Sequence, residues 1–148
     1  MKYLTLNLVI PIAVISFALF TKWWYVLPID APDTILNGFP LPFICEGWHT
    51  SLSLQIFVLE FLVDFLVYFL FWFIAIYIIN KYVITIRIDS HRRVYRDIRR
   101  ALRGLTLLTI LSFVFITAGS DNIFYFKRPW DMKTVKTGYK LIWDNQVK

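Results

Sequence analysis

Residues Leu52 to Ile79 read LSLQIFVLEFLVDFLVYFLFWFIAIYII, and their reading decides the fold expected of this chain. From Phe65 to Ile79 there is no charged residue, and two acids, Glu60 and Asp64, stand just upstream. So long an apolar run is the pattern of a membrane-spanning helix rather than of a buried soluble one. A helix from Leu52 to Asn80 would be about 43 Å long, more than the roughly 30 Å of a hydrocarbon core, so it tilts or projects. Glu60 and Asp64 are four apart and share a helical face, with Tyr68 one turn further on and Ser53 two turns before. That polar stripe, Ser53, Glu60, Asp64 and Tyr68, faces a partner rather than lipid, because an acid at depth costs several kcal/mol unless neutralised or paired. By helical rise its partners in this chain are Thr106, Thr109, Ser112 or the region of Asn7; otherwise it faces a second protein.

Outward from this run, composition points the same way. The chain of 148 residues is 58% hydrophobic and 19% aromatic, above the usual half. The net charge of +6 is concentrated beside apolar blocks, where basic residues set orientation and touch anionic lipid, so nucleic acid is not an expected partner.

Leu4 to Phe20 is a second apolar block. It lacks a small-residue cleavage site and is followed by Lys22, Trp23 and Trp24, so it reads as a first transmembrane helix rather than a secretory signal. Pro11 removes a helix hydrogen bond and frees the carbonyl of Asn7, predicting a kink. Residues 21–51 carry Pro28, Pro32, Pro40 and Pro42 with the turn pair Asn37-Gly38, and read as an external loop. Trp23 and Trp24 resemble an interfacial belt, and Phe43 and Trp48 are too apolar for a free loop, so the four form an expected external interface.

Residues 81–103 hold eight Lys or Arg. Val94, Ile98 and Leu102 recur every four residues, giving a basic amphipathic helix in which Arg92, Arg93, Arg96, Arg99, Arg100 and Arg103 meet lipid headgroups. It runs on into a third span, about residues 101–118, with Arg103 snorkelling. The positive-inside rule sets this link in the cytoplasm, with the N-terminus cytoplasmic and the loop and C-terminal tail external. The tail, 119–148, alternates apolar and basic residues and reads as a short strand or hairpin, or equally as a segment ordered only against a partner.

Catalytic and metal patterns are missing: no phosphate-binding glycine loop, no G-x-S-x-G and no H-E-x-x-H. Cys45 and His49 stand four apart but lack further ligands or an orienting third group, so no cofactor or metal is expected. The expectation is an all-α integral membrane protein of the bacterial inner membrane: one domain, three transmembrane helices, a Pro-rich aromatic external loop and a short external tail. Its expected function is that of a small non-catalytic accessory or scaffold subunit of a larger membrane complex. A hetero-complex is favoured over a homo-oligomer. The alternative is a transporter or channel element in which Glu60 and Asp64 carry protons or ions.

Overall fold

The computed structural model describes residues 5–29, 32–48, 53–83, 93–118 and 121–141. It corrects the all-α expectation. The chain forms a six-stranded mixed sheet as well as helices, and among the described residues two helices rather than three are long and apolar enough to cross a membrane. The label of an integral membrane protein is therefore not supported by this fold.

In chain order, a π-helical turn Thr5–Val9 leads into α1, Ile10–Leu19. Four strands follow: β1 Phe20–Pro28, β2 Thr34–Asn37, β3 Ile44–Glu46 and β4 Leu54–Phe57. Then come α2, Val58–Ile78, with a π-helical extension Ile79–Val83, and α3, Arg93–Ala118. Two strands close the described chain, β5 Ile123–Tyr125 and β6 Met132–Leu141.

The differences have local causes. The apolar block at the N-terminus stops as a helix at Leu19, because Phe20–Pro28 alternates its side chains and pairs on both edges, with β2 and with β6. The turn just before Pro11 is widened to π geometry, as happens where a helix ladder is interrupted. Of the described part of the supposed Pro-rich loop, 21–29 and 32–48, more than half is strand. Pro32, Pro40 and Pro42 fall in the connections and Pro28 ends β1, where a residue without an N–H does no harm to a ladder. Leu54–Phe57, taken by its apolar content as the opening of the long helix, pairs with β3 and β5 instead.

The chain divides into two compact units, 1–17 with 65–112 and 18–64 with 113–148. In the second, β1 to β4 form an antiparallel meander, β5 lies parallel beside β4, and β6 returns antiparallel to β1, for the order β5-β4-β3-β2-β1-β6. Registers put Trp24, Val26, Leu36, Cys45 and Phe57 on one face. Val26, Leu36, Cys45 and Phe57 are its buried core, packed by Trp24, Tyr125, Trp130 and Met132. In the first unit, Val9 and Ile76 pack among Leu8, Ile12, Phe69, Trp72 and Phe73. There the Trp72 indole N–H donates to Ser16 Oγ at 2.8 Å, satisfying the polar end of a ring whose body is apolar.

Elsewhere the two long helices are bare. Only 17% of the apolar stretch of α2 and 6% of that of α3 is buried. In α3 the consecutive residues Phe113, Val114, Phe115 and Ile116 are all exposed, which is a full helical turn with no apolar-in, polar-out division.

Candidate functional site

The start of α2 is where the sequence places its acids, and the fold encloses them. β4 passes into α2 without a connecting loop, so the first helical N–H groups need partners from elsewhere. Phe57 N–H donates to the Phe43 carbonyl at 2.8 Å and Leu59 N–H to the Phe126 carbonyl at 2.9 Å. Two distant segments, 38–43 and 126–130, thus close on the helix entrance.

The acids bind the same two segments. Asp64 Oδ1 accepts the Leu41 N–H at 2.8 Å. Glu60 Oε1 accepts the Arg128 N–H at 3.3 Å. Asp64 is fully buried and Glu60 is 7% exposed. Among the described residues the hydrogen bonds of the acids go to these two segments. Thr106 and Thr109 spend their hydroxyls on the carbonyls of Leu102 and Leu105 within α3, the usual in-helix solution for threonine. Asn7 Oδ1 instead accepts a 2.6 Å hydrogen bond from the Arg103 guanidinium, within the first unit.

Within the 38–43 segment, the Pro40-Leu41-Pro42 tripeptide presents one main-chain donor. Leu41 lies between Pro40 and Pro42, neither of which has an N–H, so its amide is the single main-chain donor of that tripeptide. Gly38 takes φ of 153°, a region that favours glycine. A Cβ there would collide with the Leu41 carbonyl oxygen and with Phe43. Its N–H donates to the Lys22 carbonyl at 2.9 Å, and its carbonyl accepts the Trp24 indole N–H at 3.0 Å. Phe43 N–H donates back to the Asn37 carbonyl at 2.9 Å. On the other side Asn122 ties α3 to the sheet. Its Nδ2 donates to the Thr117 carbonyl at 2.8 Å, and its Oδ1 accepts the Leu54 N–H at 2.9 Å.

Electrostatically, Glu60 sits in the first turn of α2, where helix amides favour negative charge. Glu60 Oε2 and Asp64 Oδ2 are buried and make no hydrogen bond. Among the described residues no group of three or more His, Cys, Asp or Glu could hold a metal ion. The Cys45 thiol, 2% exposed in the sheet core, is pushed up to about 12 by burial, with Glu46 adding to the shift. A thiol held neutral in this way is not a nucleophile. His49 lies outside the described residues.

The other expected site residues fall as follows. Ser53 is buried, and its carbonyl accepts the Gly47 N–H at 2.7 Å. Tyr68 is buried in the first unit, edge-on to Phe17 with ring centroids 5.4 Å apart. Trp23 and Trp24 point to opposite faces of β1, with Lys22 Nζ 3.6 Å from the Trp24 ring. Phe43 is buried against Phe61, and Trp48 packs on Trp130, each with centroids 5.4 Å apart. Arg96, Arg100 and Arg103 are exposed on α3 and Arg99 is partly covered. Arg100 meets Asp97 at 3.9 Å with both side chains largely in solvent, a contact worth little. Arg93 opens α3 by its backbone, and Arg92 lies outside the described residues.

The donors Leu41 and Arg128 escape a reading of side chains because they act through main-chain N–H groups. The Pro-Leu-Pro run was the one available signal. No family model matches this chain, and no curated protein or solved structure is significantly similar to it.

Proposed function

We propose that this chain is a non-catalytic accessory or scaffold subunit of a larger membrane complex, anchored in lipid by α2 and α3. The observation that carries the reading is α3 beyond Arg103. It has no charged residue, exposes apolar side chains on every side but the stripe of Thr106, Thr109 and Thr117, and satisfies those three hydroxyls on its own carbonyls. A helix apolar all round belongs in lipid or among other apolar helices. The arginines at its start, with the rest of the basic link, face the cytoplasm and anionic headgroups by the positive-inside rule, with β5 and β6 on the external side.

The acids support a structural role in this reading, since each holds a main-chain N–H of a folded segment. The second reading, a proton- or ion-carrying element, is favoured by one observation: the unpaired buried oxygens Glu60 Oε2 and Asp64 Oδ2. Affinity purification from membranes in mild detergent tests the first. Recovery of a stoichiometric second polypeptide is expected. A stable monomer that elutes alone would overturn it.

A further inference from the structure

The strand order ends on β6, and among the described residues no strand lies on its outer side. β6 runs ten residues, Met132–Leu141, so its outer edge presents a row of main-chain donors and acceptors. In the register with β1, Lys136 stands opposite Tyr25, Gly138 opposite Trp23 and Lys140 opposite Thr21. Lys136, Gly138 and Lys140 therefore share one face. The Trp23 indole lies on Gly138, where a Cβ would collide with the ring, and Lys136 Nζ is 5.9 Å from the Trp23 ring centroid. β6 contains no acid, and among the described residues none of its lysines is in an ion pair. Val135 and Tyr139 are more than half exposed, at 55% and 61%.

A second copy of this chain is a poor occupant. Antiparallel pairing of two β6 strands centred on Gly138 would set Lys136 against Lys140 of the copy, and like charges directly opposite are destabilising. The register shift beside Val26 twists the edge and limits a regular ladder to the half from Lys136 onward. Edge lysines and a bulge guard a strand against its own kind. An acidic strand turns the same charges into attraction.

We propose that the Lys136–Lys140 edge of β6 receives an extended acidic segment of a partner protein as a seventh strand of the sheet. The segment carries acids at positions i and i+4, opposite Lys136 and Lys140, and the residue between them covers Gly138 and the Trp23 ring. Main-chain hydrogen bonds supply affinity and the paired charges supply register, as in other strand additions. The inference deepens the subunit reading by naming the chemistry of a partner.

The test uses the full chain in detergent micelles and a fluorescent heptapeptide, Thr-Glu-Thr-Val-Thr-Glu-Thr, followed by anisotropy. Saturable binding is expected, weakened at least about tenfold by Lys136→Glu with Lys140→Glu. That variant should regain affinity for the same peptide with Lys in place of Glu, which shows that it is folded. Backbone N-methylation of the peptide should abolish binding. Absence of saturable binding overturns the proposal. So does equal binding of the N-methylated peptide, which marks attraction without a ladder. Binding of phosphatidylglycerol in mixed micelles by the wild type and not by the double variant, with no saturable binding of the peptide, would assign the lysines to lipid and also overturn it. A co-purifying subunit without peptide binding sinks this inference alone; peptide binding by a chain that purifies alone sinks only the subunit reading.

Discussion

Asp64 Oδ1 and the Leu41 N–H meet at 2.8 Å, joining a fully buried carboxylate to the one main-chain donor of the Pro40-Leu41-Pro42 tripeptide. The contact holds the β2–β3 connection against the second turn of α2. A side-chain acceptor here is needed for a reason of topology: β4 feeds the helix directly, and the connection has no strand neighbour to take up its amide.

Asp64→Asn keeps a carbonyl oxygen for Leu41, so thermal unfolding in detergent should change little. Asp64→Leu leaves the amide unpaired and should cost about 1 to 3 kcal/mol. The corresponding Glu60→Leu loss should be smaller, since its bond to Arg128 N–H is 3.3 Å. Equal losses at the two positions would contradict this ranking. If Glu60→Gln with Asp64→Asn assembles normally but loses proton or ion flux in proteoliposomes, the transport reading replaces the structural one.

Gly38→Ala should destabilise by about 1 to 3 kcal/mol, because a side chain there meets strain as well as the Leu41 carbonyl and Phe43. Circular dichroism melts of the purified variant check the size. Gly104→Ala, at a position with open space around its Cβ, is the matched control and should be neutral or slightly stabilising.

Cys45 should resist maleimide in the folded protein and react once denaturant opens the sheet. Its folded pKa of about 12 lies above the ordinary thiol value of 9.0, so the neutral thiol is favoured by folding. That contribution is complete below pH 9 and is lost as pH rises from 9.0 towards about 12, because the unfolded thiol releases its proton first. Cys45→Ala should flatten this alkaline slope of stability. An unchanged slope would place its origin elsewhere.

Arg103 and Asn7 should be coupled. A double-mutant cycle of Arg103→Met and Asn7→Leu is expected to return about 1 kcal/mol, less than a buried charged hydrogen bond because Arg103 is exposed. Additive losses would mean that the 2.6 Å contact does not contribute.

Phe115, 80% exposed on α3, should tolerate Leu and reject Lys if the helix lies in lipid. Phe115→Lys, three residues from the end of α3 at Ala118, is expected to cost less than the about 2.5 to 3.5 kcal/mol of a lysine at a helix centre, read as protein lost from the carbonate-washed membrane fraction. Retention equal to wild type would place this face in water. For orientation, Thr137→Cys should be labelled by an impermeant thiol reagent in spheroplasts and Asp97→Cys protected, with native Cys45 silent. The reverse pattern would invert the topology.

The apolar run through α2, the basic-to-apolar passage of α3 and the common face of Glu60 and Asp64 were all legible along the chain, since each depends on residues within a few turns of one another. The sheet was not. Its strands include pieces as short as Ile44–Glu46 and Ile123–Tyr125, too brief for a period-two pattern to separate from loop. Their partners are remote: β1 pairs with β6 across nearly the whole chain. Leu54–Phe57 shows the limit most clearly, because its apolar residues suit a helix start and a buried strand equally, and only β3 and β5 on either side decide between them. The partners of the acids were hidden for a related reason. Every residue but proline carries an N–H, so nothing in the side chains of Leu41 or Arg128 marks either as the one that folding will bring to a carboxylate.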